Sequence, residues 1–116
     1  MSGEFSVESH FTDKDPLVRA IYEKLLVEMR RFGEVAEEPK KTSIHLVNKS
    51  AFAGVSTRKT VLMLNIKSAA PISSPRFPKF EKVSASRYHQ EVKLGDLSEV
   101  DVELLVWLKQ AYDLSI

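Results

Sequence analysis

The chain has 116 residues and no cysteine, with 43% apolar and 28% charged residues. That balance describes one globular domain rather than a disordered chain, and it excludes disulfides, thiolate metal sites and cysteine nucleophiles. The net charge of +1 conceals a segregation: residues 1–38 carry a net −4, residues 39–93 a net +9 and residues 94–116 a net −4.

Residues 1–12 read as a flexible N-terminal arm ahead of a single domain over 13–116. They lack the basic start and apolar core of a signal peptide, and no apolar run in the chain reaches the roughly 20 residues of a membrane helix. The expected location is the cytoplasm. Asp13 and Asp15 are helix-start residues, and Pro16 suits a first helical turn. Leu17, Ile21, Leu25, Met29 and Phe32 recur at helical spacing, with Val18, Tyr22 and Leu26 widening the stripe. Gly33 is the expected stop.

After Pro39 the period changes to two. In KTSIHLVN, Ile44 and Leu46 point one way while Ser43, His45 and Val47 point the other. NKS is a turn, AFAGVS a second strand, TRK another turn, and TVLMLNIK a third strand that is apolar on both faces and therefore central. These three form an antiparallel meander. Residues 68–80, with three prolines, read as an extended loop crossing the sheet or its rim. In SASRYHQEVKL, Tyr88, Gln90, Val92 and Leu94 share one face and Arg87, His89, Glu91 and Lys93 the other. Ser98 is the expected cap of a last helix, with Asp101 as a shortened capping-box acid and Val100, Leu104, Leu108 and Ala111 as its stripe. The expected fold is therefore α+β: two layers, an antiparallel sheet of about four strands, and an N-terminal and a C-terminal helix on one face.

Motifs for chemistry are sparse. There is no Gly-rich phosphate loop, no nucleophile elbow and no histidine pair at zinc-helix spacing among His10, His45 and His89. What stands out is the basic middle. Lys40, Lys41 and Lys49 flank the first strand, Arg58 and Lys59 occupy a turn, and Lys67, Arg76, Lys79 and Lys82 surround the long loop. Arg87 and Lys93 share a strand face with His89. Guanidinium and ammonium groups beside imidazole donors suit a phosphate or carboxylate. Solvated turn lysines and a surface histidine are the plain alternative. Phe52, Phe77, Phe80 and Tyr88 can stack on bases if exposed, or fill the core if not. Trp107 and Tyr112 fit either the core margin or a homodimer patch.

The stretches KKTSIHLVNKSAFAGVSTRKTVLMLNIK, SASRYHQEVKL and EVDVELLVWLKQAYDLS resemble an uncharacterised bacterial family, the domain-of-unknown-function 5655 family, from about Phe11 to Ser115. The resemblance implies a small α+β domain and carries over no catalytic residues. Some members bear a transport label, for which this chain has no membrane segment. More distantly, the chain is similar to small bacterial domains described as iron chaperones, for which it has no metal cluster.

The leading functional expectation is a small cytoplasmic binding module that offers a basic sheet or loop surface to an anionic ligand: a nucleotide, a phosphorylated metabolite or nucleic acid. Its expected ligand-binding residues are Lys41, His45, Arg58, Lys59, Arg87 and His89, with no catalytic residue, metal ligand or cofactor. Two alternatives stand beside it. One is a protein-interaction or homodimerisation module. The other is a small enzyme with His89 as general base and an acid such as Glu91 nearby.

Overall fold

A computed structural model describes residues 6–72, 74–77 and 80–115, the side chain of Phe80 excepted. The first five residues of the expected arm lie outside it, as does Lys79 of the basic set. The rest of the arm coils into a 3-10 turn, Glu8–Phe11. Phe11 is buried there against the Tyr22 ring, with centroids 5.2 Å apart. The Thr57 hydroxyl donates to the His10 carbonyl over 2.5 Å, and His10 Nε2 lies 2.8 Å from the Lys40 carbonyl. Glu8 pairs with Arg19.

Helix α1 spans Pro16–Met29. Asp15 caps it by accepting from the Leu17 N–H at 2.9 Å, and Pro16 takes the position where a missing N–H costs nothing. Val18, Ile21, Tyr22, Leu25, Leu26 and Met29 form its buried face. The helix ends at Met29, a turn before Gly33. Gly33 instead serves the turn that follows, with φ at +152°. Helix α2 spans Val102–Leu114 and buries Leu104, Leu108, Ala111 and Tyr112. Its cap is Asp101, which accepts from the Leu104 N–H at 3.0 Å, rather than Ser98. Ser98 falls in a separate 3-10 turn, Leu97–Glu99, and bonds Asp96.

The sheet has six antiparallel strands rather than about four: β1 Ala36–Pro39, β2 Ile44–Val47, β3 Ala51–Thr57, β4 Leu62–Ser68, β5 Phe80–Ser84 and β6 Arg87–Leu94, in the order β1-β2-β3-β4-β6-β5. The two additional strands are its edges. An edge strand is paired on one side only, so its sequence need not alternate strongly. β1 is AEEP, poor in strand formers and ending in a proline, which only an edge tolerates. It is tied to α1 by the Tyr22 hydroxyl, which donates to Glu37 over 2.6 Å, with Arg30 3.5 Å from the same carboxylate.

Register fixes the two faces. Ile44, Val55, Leu64 and Val92 lie in one row and Leu46, Ala53, Ile66 and Gln90 in the next. All are buried beneath the helices. At roughly 25 cal/mol per Å² of apolar surface removed from water, this is the layer that holds the domain together. The proline-rich segment packs on this same side, beside α2. Gln90 clamps it, accepting from the Ile72 N–H at 2.5 Å and donating to the Ile72 carbonyl at 3.0 Å. Arg76 bonds Asp101 at 3.0 Å, Glu103 at 3.3 Å and the Glu99 carbonyl at 2.8 Å, while Phe77 meets Trp107 edge to face. The loop thus lengthens the helical layer and leaves the other sheet face to the site. No described helix is long and apolar enough to cross a membrane.

Candidate ligand site on the sheet face opposite the helices

Strand alternation sends every second side chain away from the core. Pairing lines them up across strands. Glu38, His45, Gly54, Asn65 and Glu91 form one row, and Lys67, His89 and Glu81 form a second. Within these rows lies a depression of about 470 Å³, lined by His45, Gly54, Asn65, Lys67, His89 and Glu91, with Ser43 and Ser56 also on its wall. Gly54 makes the floor. A Cβ placed there would meet the His45 ring at 3.9 Å, an ordinary contact, so the space exists because that position has no side chain.

The two histidines line the same depression without touching. Three strand spacings and two residues of rise separate them, roughly 16 Å between Cα atoms, which leaves a gap between imidazole tips that a small molecule can span. Burial holds the His89 pKa below the ordinary histidine range, and neighbouring Lys67 pushes it the same way while Glu81 opposes them. These effects favour the neutral imidazole. Among the described residues no hydrogen bond orients its ring, whereas a general base in an acyl-transfer site is held by a partner.

The other expected ligand residues are dispersed. Lys41 is exposed in the β1–β2 turn, next to Thr42 and Ser43 on the wall of the depression. Arg58 and Lys59 occupy the β3–β4 turn, and the Lys59 ammonium donates to the Asp13 carbonyl over 2.9 Å, docking the chain ahead of α1. Arg87 begins β6 at the opposite end of the sheet, where its guanidinium donates to the Ser86 carbonyl. The face itself is mixed in sign. Lys67 and Lys93 share it with Glu38, Glu81 and Glu91, and Arg76 is spent on the helix side. A family model described as "Domain of unknown function (DUF5655)" matches residues 7–115.

The chain is a DUF5655 domain. No curated protein and no solved structure matches it. Asn65 and Gly54 are the members of the depression that sequence reasoning passed over in this DUF5655 domain; Lys67 reads there as part of the basic set around the long loop, and Glu91 as an acid near His89, rather than as ligand residues. Alternation in TVLMLNIK already puts Asn65 and Lys67 on one face, but only cross-strand register sets them beside His45 and His89. Among the described residues no group of three or more histidine and carboxylate side chains is placed to hold a metal ion.

Proposed function

We propose that this DUF5655 domain is a binding module whose depression takes a small anionic ligand that also carries hydroxyl or amino groups. The observation behind this reading is the Gly54-floored depression between His45 and His89. Lys67 and the two imidazoles supply donors for a phosphate or carboxylate. Glu91 accepts from a hydroxyl or amine, and Asn65 does either. Lys41 adds charge at the rim, while Arg58, Lys59 and Arg87 act only as long-range attraction. A nucleotide or a phosphorylated metabolite meets these demands. A nucleic-acid strand meets them less well, because Glu38, Glu81 and Glu91 would lie under its phosphates.

The test is thermal unfolding against nucleoside phosphates, sugar phosphates, polyphosphate and short DNA and RNA, at low and moderate salt. A ligand at 100 times its Kd stabilises by about 2.7 kcal/mol, about 10 °C in Tm for a domain of this size. Gly54→Val, which grows a side chain into the depression from a position where a Cβ meets only ordinary contacts, and Lys67→Ala should each abolish the shift. A shift that survives both, or none with any compound, sinks the reading; concentration-dependent assembly would then favour homodimerisation.

A further inference from the structure

A second cavity lies on the opposite side of the sheet. It occupies about 520 Å³ between the loop that leaves β4 and the C-terminal half of α2, within the size range of small-molecule sites. Ser68, Pro71, Ile72, Trp107, Gln110 and Leu114 line it, and none of its lining among the described residues is ionisable. A charged ligand would find no ionised partner there among the described residues. Pro71, Ile72 and Leu114 offer apolar surface, and Trp107 offers an aromatic one. The Trp107 indole is held in place by Phe77, at a centroid distance of 4.9 Å, and by the Arg76 guanidinium 5.9 Å from its ring. The loop wall is held by the Gln90–Ile72 clamp. Both walls are thus fixed before anything enters.

One polar atom is out of keeping with these surroundings. Ser68 is the last residue of β4, and its Oγ is buried with no hydrogen-bond partner among the described residues. Leaving such a group unpaired is costly, and native structures rarely do so. Ser68 itself lines the cavity, and its hydroxyl can turn about the Cα–Cβ bond between staggered wells to meet a ligand there. Gln110 supplies a side-chain amide at the exposed mouth.

We propose that this cavity is a second binding site, for a small neutral aromatic molecule with one hydroxyl, which bonds Ser68 Oγ while its ring packs on Trp107. The site is independent of the histidine depression, and either can fail without the other.

Trp107 is the chain's one tryptophan, so its indole N–H gives a unique amide-type signal in a proton–nitrogen spectrum. The probes are 4-ethylphenol, ethylbenzene and 4-ethylbenzoate, matched in shape and differing in one group. Expected are saturable shifts confined to Trp107 and residues 68–72, with 4-ethylphenol binding about fivefold more tightly than ethylbenzene, the worth of one hydrogen bond. The charged benzoate should bind least. Ser68→Ala, which removes only the hydroxyl, should erase the phenol's advantage and leave ethylbenzene binding unchanged. No shift at Trp107 with 4-ethylphenol, shifts scattered over the exposed Val102 and Val106 face, or a preference that survives Ser68→Ala would each overturn the proposal.

Discussion

Gly33→Ala tests how the α1–β1 turn is locked. Gly33 has φ +152°, a region L-residues rarely enter, and a Cβ there would collide with the Tyr112 hydroxyl oxygen. Two costs follow. Backbone strain at such a position is on the order of 1–3 kcal/mol. Displacing Tyr112 breaks the bond its hydroxyl donates to the Glu34 carbonyl at 3.2 Å and loosens its ring contacts with Phe32 at 5.7 Å and Phe52 at 5.3 Å. Those losses add about 1 kcal/mol for the hydrogen bond and about 1 kcal/mol for the rings. Gly33→Ala should therefore destabilise by about 3–5 kcal/mol, read as a lower denaturant midpoint at unchanged slope. Tyr112→Phe alone should cost about 1 kcal/mol, since it deletes only the hydroxyl. The double variant should recover at least about 1 kcal/mol relative to the sum, because the clashing atom has gone. A Gly33→Ala protein within about 1 kcal/mol of the parent, or strict additivity with Tyr112→Phe, would refute the reasoning.

Ser68→Ala should leave the free protein as stable or raise its stability by up to about 1 kcal/mol, because it removes an unpaired buried hydroxyl; a clear loss in chemical denaturation would contradict this. Gln90→Leu should cost about 2 kcal/mol by stranding both backbone groups of Ile72, with faster hydrogen exchange at Ile72 as its signature. For His89 the folded pKa lies below the unfolded value of about 6.5, so the unfolded chain binds more protons as pH falls. Its contribution to stability is complete above that value and is lost as pH drops through the lowered folded pKa. In an NMR titration Lys67→Ala should raise the His89 pKa and Glu81→Gln should lower it further. Asp101 is held below the ordinary carboxylate range, chiefly by the Leu104 N–H and also by Arg76; its share of stability is present above about pH 4 and lost as pH falls through its lowered pKa. Arg76→Met should move that pKa part-way back.

The strongly patterned elements were legible in the sequence. Both helices declare themselves through apolar stripes, and the buried alternation of β2, β4 and β6 is explicit in Ile44 and Leu46, in Leu62, Leu64 and Ile66, and in Val92 and Leu94. β1 and β5 were not legible, because an edge strand with few buried side chains has no pattern to show. Ser98 and Asp101 both satisfy the local chemistry of a cap, and only the run of residues after Asp101 commits to a full helix. The charge segregation was real along the chain but does not become a face of one sign. Register sets Glu81 and Glu91 beside the lysines, and Glu38 arrives from the acidic segment on β1. That His45 and His89 both look away from the core followed from period two; that they bracket one depression required knowing which strand lies next to which.

The strand order β4-β6-β5 has a consequence for how the molecule assembles. β5 precedes β6 in the chain yet lies outside it, so β5 has nothing to pair with until β6 exists. The natural unit is the β5–β6 hairpin, closed across Ser84 and Arg87, which then docks through β6 along the whole of β4, from Leu62–Leu94 to Ser68–Tyr88. Before docking, α1 and the strands through β4 end in an unpaired edge whose inward residues, Leu62, Leu64 and Ile66, are all apolar. On a ribosome that edge emerges some twenty residues ahead of its partner. An open apolar edge is a template for the wrong strand, so the interval before the hairpin arrives is the stage at which this chain is most exposed to pairing with another copy of itself.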